Sequence, residues 1–221
     1  MRELPFAVAD TTLRVAIQNL VIAGWTGRDA HKVQEHIEEL AALGVAPPAT
    51  TPCFYRAGIE TLTQSANIDV LGGDSSGEGE WFILEAHEGR FIGCGSDHTD
   101  RKVEAYSITV SKQMCPKPIG TQLWPWAEVA DHWDQLAIRT EIFEGGAWVP
   151  YQDGSVAAMR HPEELLQKAR ELNVPTSVGT LMFGGTLPVL GGIRPAAQFR
   201  VALHDPVLGR SLTHGYTSRT V

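Results

Sequence analysis

Two glutamates separated by one residue stand directly ahead of a strongly apolar run. Glu78 and Glu80 flank Gly79 and lead into Trp81-Phe82-Ile83-Leu84, a run typical of a buried strand. Residues two apart project from the same face of a strand, so the two carboxylates would point together and repel each other. A divalent cation would remove that repulsion, because Mg²⁺ and related ions prefer carboxylate oxygens. A solvated strand edge explains the same pattern, so the pair alone leaves both interpretations open.

A second carboxylate pair follows the apolar run at residues 91–93. Asp97 and Asp100 precede Arg101, and one of them could complete a metal site. The same residues could instead cap a turn or a helix start, with Arg101 pairing with one of the carboxylates. On the residues alone, the two interpretations are equally good.

Two more segments offer polar groups near a rigid backbone. Lys112 precedes the proline corner Cys115-Pro116-Lys117-Pro118, which could hold its ammonium close to the carboxylates, although most lysines are surface charges. Gly184-Gly185-Thr186 would let the backbone approach a ligand closely and adds a hydroxyl. A plain hairpin turn explains this second segment at least as well.

Two rival chemistries involve cysteine. Cys94, His98 and Cys115 could bind zinc, but the chain has no Cys-x-x-Cys pair and the fourth ligand would be arbitrary. Cys94 or Cys115 could act as a nucleophile with His98 or His132, yet no local signature distinguishes either cysteine. Buried free thiols are the ordinary explanation.

Composition restricts the class of protein. The chain has 221 residues, 43% of them apolar and 20% charged, which suits one domain with a substantial core. Eighteen basic against 26 acidic residues give a net charge of −8, which argues against nucleic acid or an anionic membrane as a partner. Three cysteines form no disulfide framework, and neither a secretory signal nor an apolar run of ~18 residues is visible. We therefore expect a cytoplasmic protein.

Periodicity predicts many short strands and few helices. Residues 6–9 and 12–17 predict a hairpin that turns at Asp10-Thr11, and Val33, Ile37, Leu40 and Leu43 predict a helix over 29–43 that Asp29 caps. Further helices are predicted over 162–173 and, shorter, over 127–136. The other predicted strands are 68–71, 81–84, 91–93, 106–110, 138–142, 180–183 and 199–203. Without a βαβ series, this pattern favours an α+β fold dominated by antiparallel or mixed sheet.

Taken in order, these segments resemble the fumarylacetoacetate hydrolase superfamily. The matching segments are Glu78-Gly79-Glu80, Ser96-Asp97-His98-Thr99-Asp100-Arg101, Lys112 with its proline corner, the hairpin Trp148–Gly154, and Val178 through Pro188. More closely, the whole chain is similar to a prokaryotic family of unknown function whose recurring phrases include Gly-Ser-Asp-His-Thr-Asp-Arg and Cys-Pro-Lys-Pro. The interval from Glu80 to Asp97 is shorter than the superfamily's, and an intervening helix or lid is missing from it.

The resemblance implies a mainly β, mixed β-sandwich roll of the fumarylacetoacetase C-terminal-domain type, usually a homodimer. One domain would span 1–221, with 1–55 as an N-terminal β-hairpin, helix and proline-rich approach segment. Glu78, Glu80 and Asp97 would hold Mg²⁺ or Mn²⁺. The substrate would be a small carboxylic acid, either a 2-oxo acid or a 1,3-dicarbonyl acid.

The resemblance also implies roles for the remaining candidates. Lys112 would neutralise a developing enolate, and Thr186 and the Gly185 amide would bind substrate. Arg101 would lie at the substrate site, bracing Asp97. His36, which is matched through His36-Ile37-Glu38-Glu39, would activate water.

Three functions follow from this resemblance. The first is a metal-dependent hydrolase that acts through a metal-stabilised enolate. The second is a hydratase or decarboxylase of 2-oxo-enoic acids on the same metal site. The third is a non-catalytic small-molecule-binding or subunit protein that retains the fold. Product analysis separates the two enzymes, and metal analysis bears on the third.

Overall fold

The computed structural model describes residues 1–42 and 47–221, without the side chains of His36, Glu39, Leu40 and Ala42. Strands dominate the described chain. They are β1 (Arg2–Val8), β2 (Thr11–Ile17), β3 (Asn19–Gly24), β4 (Cys53–Ala57), β5 (Leu62–Thr63), β6 (Asn67–Val70), β7 (Ser75–Ser76), β8 (Gly79–Ala86), β9 (Gly89–Ser96), β10 (Thr99–Asp100), β11 (Lys117–Pro118), β12 (Trp124–Pro125), β13 (Ala137–Glu144), β14 (Ala147–Ser155), β15 (Thr180–Thr186), β16 (Gln198–Asp205) and β17 (Arg210–Thr220). The helices are α1 (Ala30–Ala42), α2 (Arg101–Tyr106), α3 (Ile108–Met114) and α4 (Pro162–Glu171).

Two larger sheets form the body of the fold. One has six strands in the order β12-β9-β8-β15-β3-β4, and the other has five in the order β14-β13-β16-β17-β6. Both are mixed, because β15 runs parallel to β3 and β17 runs parallel to β6. The first core contains apolar residues from both sheets, among them Trp81 and Ile92 of the six-stranded sheet and Ile138 and Val201 of the five-stranded sheet. Such a sandwich confirms the predicted mainly β, α+β fold class.

A second core covers the opposite face of the six-stranded sheet. Phe82, Phe183 and Ile22 face it, and the β1–β2 hairpin adds Phe6 and other apolar side chains. The alternation of apolar residues between the two cores explains why the central strands read as continuous apolar runs in the sequence. Every predicted strand except 106–110 coincides with a strand of the structure, whereas β17 (Arg210–Thr220) was not predicted.

The two longer helices agree with their predicted patterns. Asp29 precedes α1, and its Oδ1 accepts hydrogen bonds from the His31 and Lys32 amides. The predicted end of that helix at Leu43 lies outside the described residues. In α4, Pro162 occupies the first turn while Leu165 and Leu166 are buried. No helix of the described chain is long and apolar enough to cross a membrane.

The strand predicted over 106–110 is wrong, because that stretch contains parts of α2 and α3. Its Ser-Ile-Thr-Val sequence favours a strand, but hydrogen bonds at the two N-caps decide otherwise. Asp100 Oδ1 accepts from the Val103 amide at 2.9 Å, and Ser107 Oγ accepts from the Val110 amide at 3.4 Å. The consequence for the site is direct, since α3 carries Lys112.

The helix predicted over 127–136 is replaced by two 3₁₀ turns, Trp126–Glu128 and Ala130–Gln135. His132 interrupts the second with a non-helical backbone (φ −128°, ψ 24°). Its Nε2 hydrogen-bonds Asp205 Oδ1 at 3.0 Å, and Trp133 beside it is buried in the first core. Tertiary contacts of these two side chains therefore determine the local backbone.

Packing between β15 and β8 depends on a glycine, which gives a test of the sandwich. A Cβ on Gly184 would lie 2.1 Å from Cζ2 of the fully buried Trp81 ring, whereas a Cβ on Gly73 would meet nothing within 4 Å. We expect Gly184→Ala to lower the free energy of unfolding by about 1–3 kcal/mol, because the buried ring has to shift. Gly73→Ala is the matched control and should change it by less than ~0.5 kcal/mol. Equal denaturation midpoints for the two variants would contradict this packing.

Candidate active site

Three carboxylates converge where β8 begins and β9 ends. The antiparallel register pairs Gly79 with Ser96 and Glu80 with Gly95, and the Asp97 amide donates to the Glu78 carbonyl at 3.0 Å. One oxygen each from Glu78, Glu80 and Asp97 can be chosen so that all three lie within 4.8 Å of one another. The predicted cluster is therefore present, and the sheet register rather than chain proximity assembles it.

The carboxylates are largely withdrawn from solvent. Glu80 is 2% exposed and Asp97 is fully buried. The Gly185 amide donates to Glu80 Oε2 at 2.8 Å, so this amide holds a carboxylate. Burial, together with repulsion from Asp97, raises the pKa of Glu80 well above its usual value. A cation bound among the carboxylates would replace the proton that this environment favours.

Lys112 projects from α3 directly into the cluster. Its Nζ lies 3.2 Å from Glu78 Oε2 and also contacts Asp97 Oδ2. Burial alone would lower the pKa of this ammonium, but Asp97 and Glu78 raise it well above its usual value. Burial likewise opposes ionisation of Glu78, yet Lys112 and Arg101 lower its pKa to about 2. Lys112 is thus a buried cation at the carboxylates and not a surface lysine.

Arg101 braces a different carboxylate from the one predicted. Its Nη1 donates to Glu78 Oε1 at 2.8 Å and to Glu104 Oε2 at 2.9 Å, while its Nε donates to Ser76 Oγ. The expected partner was Asp97. Arg101 is the first residue of α2, and its guanidinium lies at Glu78, just ahead of β8, whereas two lysines approach Asp97.

Lys117 is the basic residue of the site that sequence reasoning missed. Its side chain is fully buried, and its Nζ lies 2.8 Å from Asp97 Oδ1 and donates to the His98 carbonyl at 2.7 Å. The two prolines that flank it in the sequence were the available signal, because they fix the direction of β11. Asp97 Oδ1 accepts no hydrogen bond from the described residues, so its compensation is this ion pair.

Thr186 and Gln152 tie the neighbouring strands together. Thr186 Oγ1 donates to the Gly79 carbonyl at 3.0 Å and accepts from Gln152 Nε2 at 2.7 Å. Gln152 Oε1 in turn accepts from the Gly79 amide at 2.9 Å. These hydrogen bonds hold the backbone of Gly79, which lies between the two glutamates. Gln152 therefore has a structural role that the sequence pattern did not indicate. Substrate binding by Thr186 stays a prediction.

His98 belongs to a buried hydrogen-bonded line behind Asp97. Its Nδ1 bonds the Tyr216 hydroxyl at 2.8 Å and its Nε2 bonds Ser75 Oγ at 2.9 Å, while Tyr216 continues to Ser96. Burial, with the nearby Lys117 and Arg101, lowers the pKa of His98 to about 3. Because both ring nitrogens are occupied by hydroxyls, His98 pairs with neither thiol. Within the described chain, the carboxylate cluster is the only group of three or more candidate metal ligands.

The predicted water-activating His36 lies on α1, and its side chain is outside the described residues. Five residues earlier on the same helix, His31 Nδ1 lies 3.3 Å from Glu35 Oε1. The two residues are four apart, so they lie on the same face of α1. Both side chains are exposed, at 82% and 58%.

Comparison of the sequence with protein-family models identifies the family of this chain. The family described as "Protein of unknown function (DUF2848)" matches residues 23–216. The chain belongs to that family. Among the curated proteins, nothing matches it.

Solved structures share the fold of this chain at low sequence identity. A proposed fumarylacetoacetate isomerase/hydrolase from Oleispira antarctica has a TM-score of 0.71 at 17% identity, covering 97% of this chain and 99% of its own. A proposed fumarylpyruvate hydrolase from Burkholderia cenocepacia has a TM-score of 0.66 at 17% identity, covering 100% and 96%. A 2-keto-3-deoxyarabinonate dehydratase has a TM-score of 0.66 at 18% identity, covering 93% and 76%. The expected fumarylacetoacetase-like fold is confirmed.

The donor set suits a hard divalent cation. Three carboxylates converge, one oxygen of Asp97 accepts no hydrogen bond from a described residue, and protons or lysines compensate the charges. Mg²⁺ and Mn²⁺ favour such oxygen ligands, whereas zinc sites usually include nitrogen or sulfur. The residues therefore fit the predicted Mg²⁺ or Mn²⁺, and the donor set alone does not choose between these two metals.

The buried Lys117–Asp97 ion pair should contribute measurably to the free energy of unfolding. Lys117→Met leaves a fully buried carboxylate with one cation fewer, so we expect the free energy of unfolding in EDTA to fall by about 3 kcal/mol. Excess Mn²⁺ should restore part of that loss, because a bound cation compensates Asp97. Lys168→Met removes an exposed pair with Glu171 and should cost under ~0.5 kcal/mol. A loss of that small size for Lys117→Met, measured by urea denaturation, would refute the role given to Lys117.

Proposed function

We propose that the protein is a divalent-metal-dependent enzyme that cleaves a small 2-oxo or 1,3-dicarbonyl acid by hydrolysis. The observation that carries the proposal is the buried cluster of Glu78, Glu80 and Asp97 with Lys112 in contact with two of its members. Concentrating three carboxylates in a dry site costs stability, and binding a cation offsets that cost. The fold shared with fumarylacetoacetate hydrolase family structures supports the choice of substrate class.

Charge balance favours an anionic substrate. Four carboxylates (Glu78, Glu80, Asp97 and Glu104) and three cations (Arg101, Lys112 and Lys117) meet in the linked ion pairs and the metal-ligand cluster. With all four carboxylates ionised the set has a net charge of −1, and a divalent cation that replaces the proton on Glu80 would change it to +1. One carboxylate on the substrate would bring the loaded site to neutrality.

The chain's own residues would stabilise charge and move a proton. A metal bound by the three carboxylates would supply Lewis-acid polarisation of the substrate's oxo oxygen. Lys112 Nζ, once a cation binds Glu78 and Asp97, is available to donate to an oxygen that becomes negative as the carbon–carbon bond breaks. Arg101 keeps Glu78 ionised and oriented, and the Gly185 amide orients Glu80.

The general base would come from α1. His36 was the sequence-based candidate, and the His31–Glu35 pair adds a second, because a carboxylate on one ring nitrogen orients the other nitrogen to take a proton. We favour His31 for that reason. Comparing His31→Gln with His36→Gln separates the two, since turnover should collapse in only one variant while Mn²⁺ affinity stays constant.

A hydratase or decarboxylase on the same site is the second candidate. One structure with this fold is a 2-keto-3-deoxyarabinonate dehydratase, so the fold accommodates loss of water as well as hydrolysis. Product analysis on acylpyruvates and 2-oxo-enoates separates these reactions.

We also propose a homodimer, on the family resemblance alone, and light scattering that gives about 24 kDa at micromolar concentration would reject it.

Metal binding is tested first by calorimetry with Mn²⁺. Glu80→Gln keeps an oxygen for the Gly185 amide but removes the charge, so we expect the Mn²⁺ isotherm to disappear while the circular dichroism spectrum is unchanged. Glu85→Gln, which lies on the same strand and pairs with Arg90, is the matched control and should bind as the wild type does. An unchanged isotherm for Glu80→Gln would contradict the metal assignment.

Lys112 is tested through turnover. Lys112→Met keeps much of the side-chain volume but removes the ammonium, so kcat should fall by roughly 10²- to 10³-fold. Mn²⁺ affinity should hold or tighten, because a cation that contacts Glu78 and Asp97 has left. Equal kcat in the two proteins would mean that Lys112 only balances charge.

A further inference from the structure

The carboxylate cluster stands at one end of a row of residues that crosses the six-stranded sheet. Phe82, Phe183, Ile22 and Tyr55 are register partners on adjacent strands, and they all face the second core. Beyond that row the β15–β8 pairing is irregular: Thr186 is the register partner of Glu80, and the Gly185 amide donates to the Glu80 carboxylate. At the other edge, Gly24 of β3 is the register partner of Cys53 of β4. Two strands, β15 and β3, separate β8, which carries Glu80, from the β4 edge, a span of roughly 14 Å between strand axes.

The far end of this row carries two aromatic residues and a thiol. A Cβ on Gly24 would lie 2.9 Å from Tyr55 Cε2 and 3.4 Å from Cys53 Sγ, so both side chains lie over that glycine. The Trp25 side chain hydrogen-bonds Tyr55. Trp25, Cys53 and Tyr55 are all half-buried, in contrast to the fully buried aromatic residues of the cores.

Trp25 has a backbone conformation that bulky residues rarely adopt. Its φ of 58° lies in the left-handed region, and the next residue, Thr26, is held against Gly185, whose φ is 106°. A Cβ on Gly185 would lie 1.9 Å from Thr26 Oγ1. This left-handed backbone conformation costs free energy and positions the Trp25 indole beside Tyr55. A binding role for the indole would explain why the strain is kept.

Trp25, Cys53 and Tyr55 together form what we call the aromatic wall. Lys112 interacts with both this wall and the carboxylates. Its charge reaches Cys53 and Tyr55 as well as Glu78 and Asp97, because α3 packs on β4. The wall itself is uncharged near neutral pH, since burial raises the pKa of both the Cys53 thiol and the Tyr55 hydroxyl. One end of the row is therefore ionic, while the other is neutral and aromatic.

We propose that Trp25, Cys53 and Tyr55 form a subsite for the uncharged, unsaturated or aromatic tail of a 2-oxo acid whose head binds at the carboxylates. This inference rests on the proposed function and narrows its substrate class. A second carboxylate on the tail would lose water beside two aromatic rings and a neutral thiol. A planar tail would instead gain ring contacts. The preferred substrate is thus a monocarboxylate, in agreement with the charge balance of the loaded site.

The test compares three acylpyruvates on the Mn²⁺-loaded full chain: benzoylpyruvate, acetylpyruvate and fumarylpyruvate. We expect kcat/KM to be highest for benzoylpyruvate and lowest for the dicarboxylate. Tyr55→Leu should lower the ratio of kcat/KM for benzoylpyruvate to kcat/KM for acetylpyruvate about tenfold. Tyr55→Phe should preserve the ratio. Phe143→Leu, at a partly exposed phenylalanine of the other sheet, is the matched control and should also preserve it.

The outcomes separate the subsite from the reaction. Turnover with a benzoyl-to-acetyl ratio that Tyr55→Leu leaves unchanged, or a preference for fumarylpyruvate, overturns the subsite and leaves the proposed function standing. If no acylpyruvate is turned over, the same ratios are taken from calorimetric Kd values. A tenfold loss of the ratio in Tyr55→Leu then supports the subsite without the reaction, and equal Kd values or no binding overturn it. Thermal unfolding at the wild-type temperature establishes that Tyr55→Leu folds. If it does not fold, Trp25→Leu, which removes the other aromatic ring of the subsite, gives the same comparison.

Discussion

Burial of like charges is the constraint on which the site depends. Glu80 and Asp97 are buried and the Glu78 side chain is only 12% exposed, yet the carboxylate oxygens of the three residues face one another. Such an arrangement is stable only with compensating positive charge or protons. Lys112, Lys117 and Arg101 provide the positive charge, each from a different element and each on a different combination of oxygens. The same shortage of positive charge makes the cluster a receptor for a divalent cation.

The sheet register is the second requirement, because it brings distant segments into one place. Glu80 and Asp97 meet through the β8–β9 pairing, and Gly185 joins them through the irregular β15–β8 pairing that ends at Thr186. Gln152 and Thr186 then fix Gly79 between the two glutamates. Because the strands that carry these residues also form the walls of both cores, small shifts in core packing would move the carboxylates.

Much of this arrangement could be predicted from local pattern. The Glu-x-Glu ahead of an apolar run, the carboxylate after residues 91–93 and the lysine before the proline corner supplied the candidates, and the resemblance to the superfamily combined them into one acidic site with Lys112. Fold class followed from many short strands and few helices. The partner of Arg101 could not be predicted in the same way, since it depends on how α2 starts at Asp100 and turns toward β8. The helical stretch at 106–110 was missed because two side-chain caps outweigh the strand preference of its residues. Lys117 was missed because a fully buried lysine is rare.

Anomalous diffraction from crystals grown with Mn²⁺ tests the central claim most directly. The account predicts one peak per chain, at about 2.1 Å from one oxygen each of Glu78, Glu80 and Asp97, a distance typical of small divalent cations. Lys112 Nζ should then have moved off Asp97 Oδ2. A chain without a peak at this position, with the Lys112 ammonium still bound to both carboxylates, would contradict the account and leave the cluster as a structural ion-pair network.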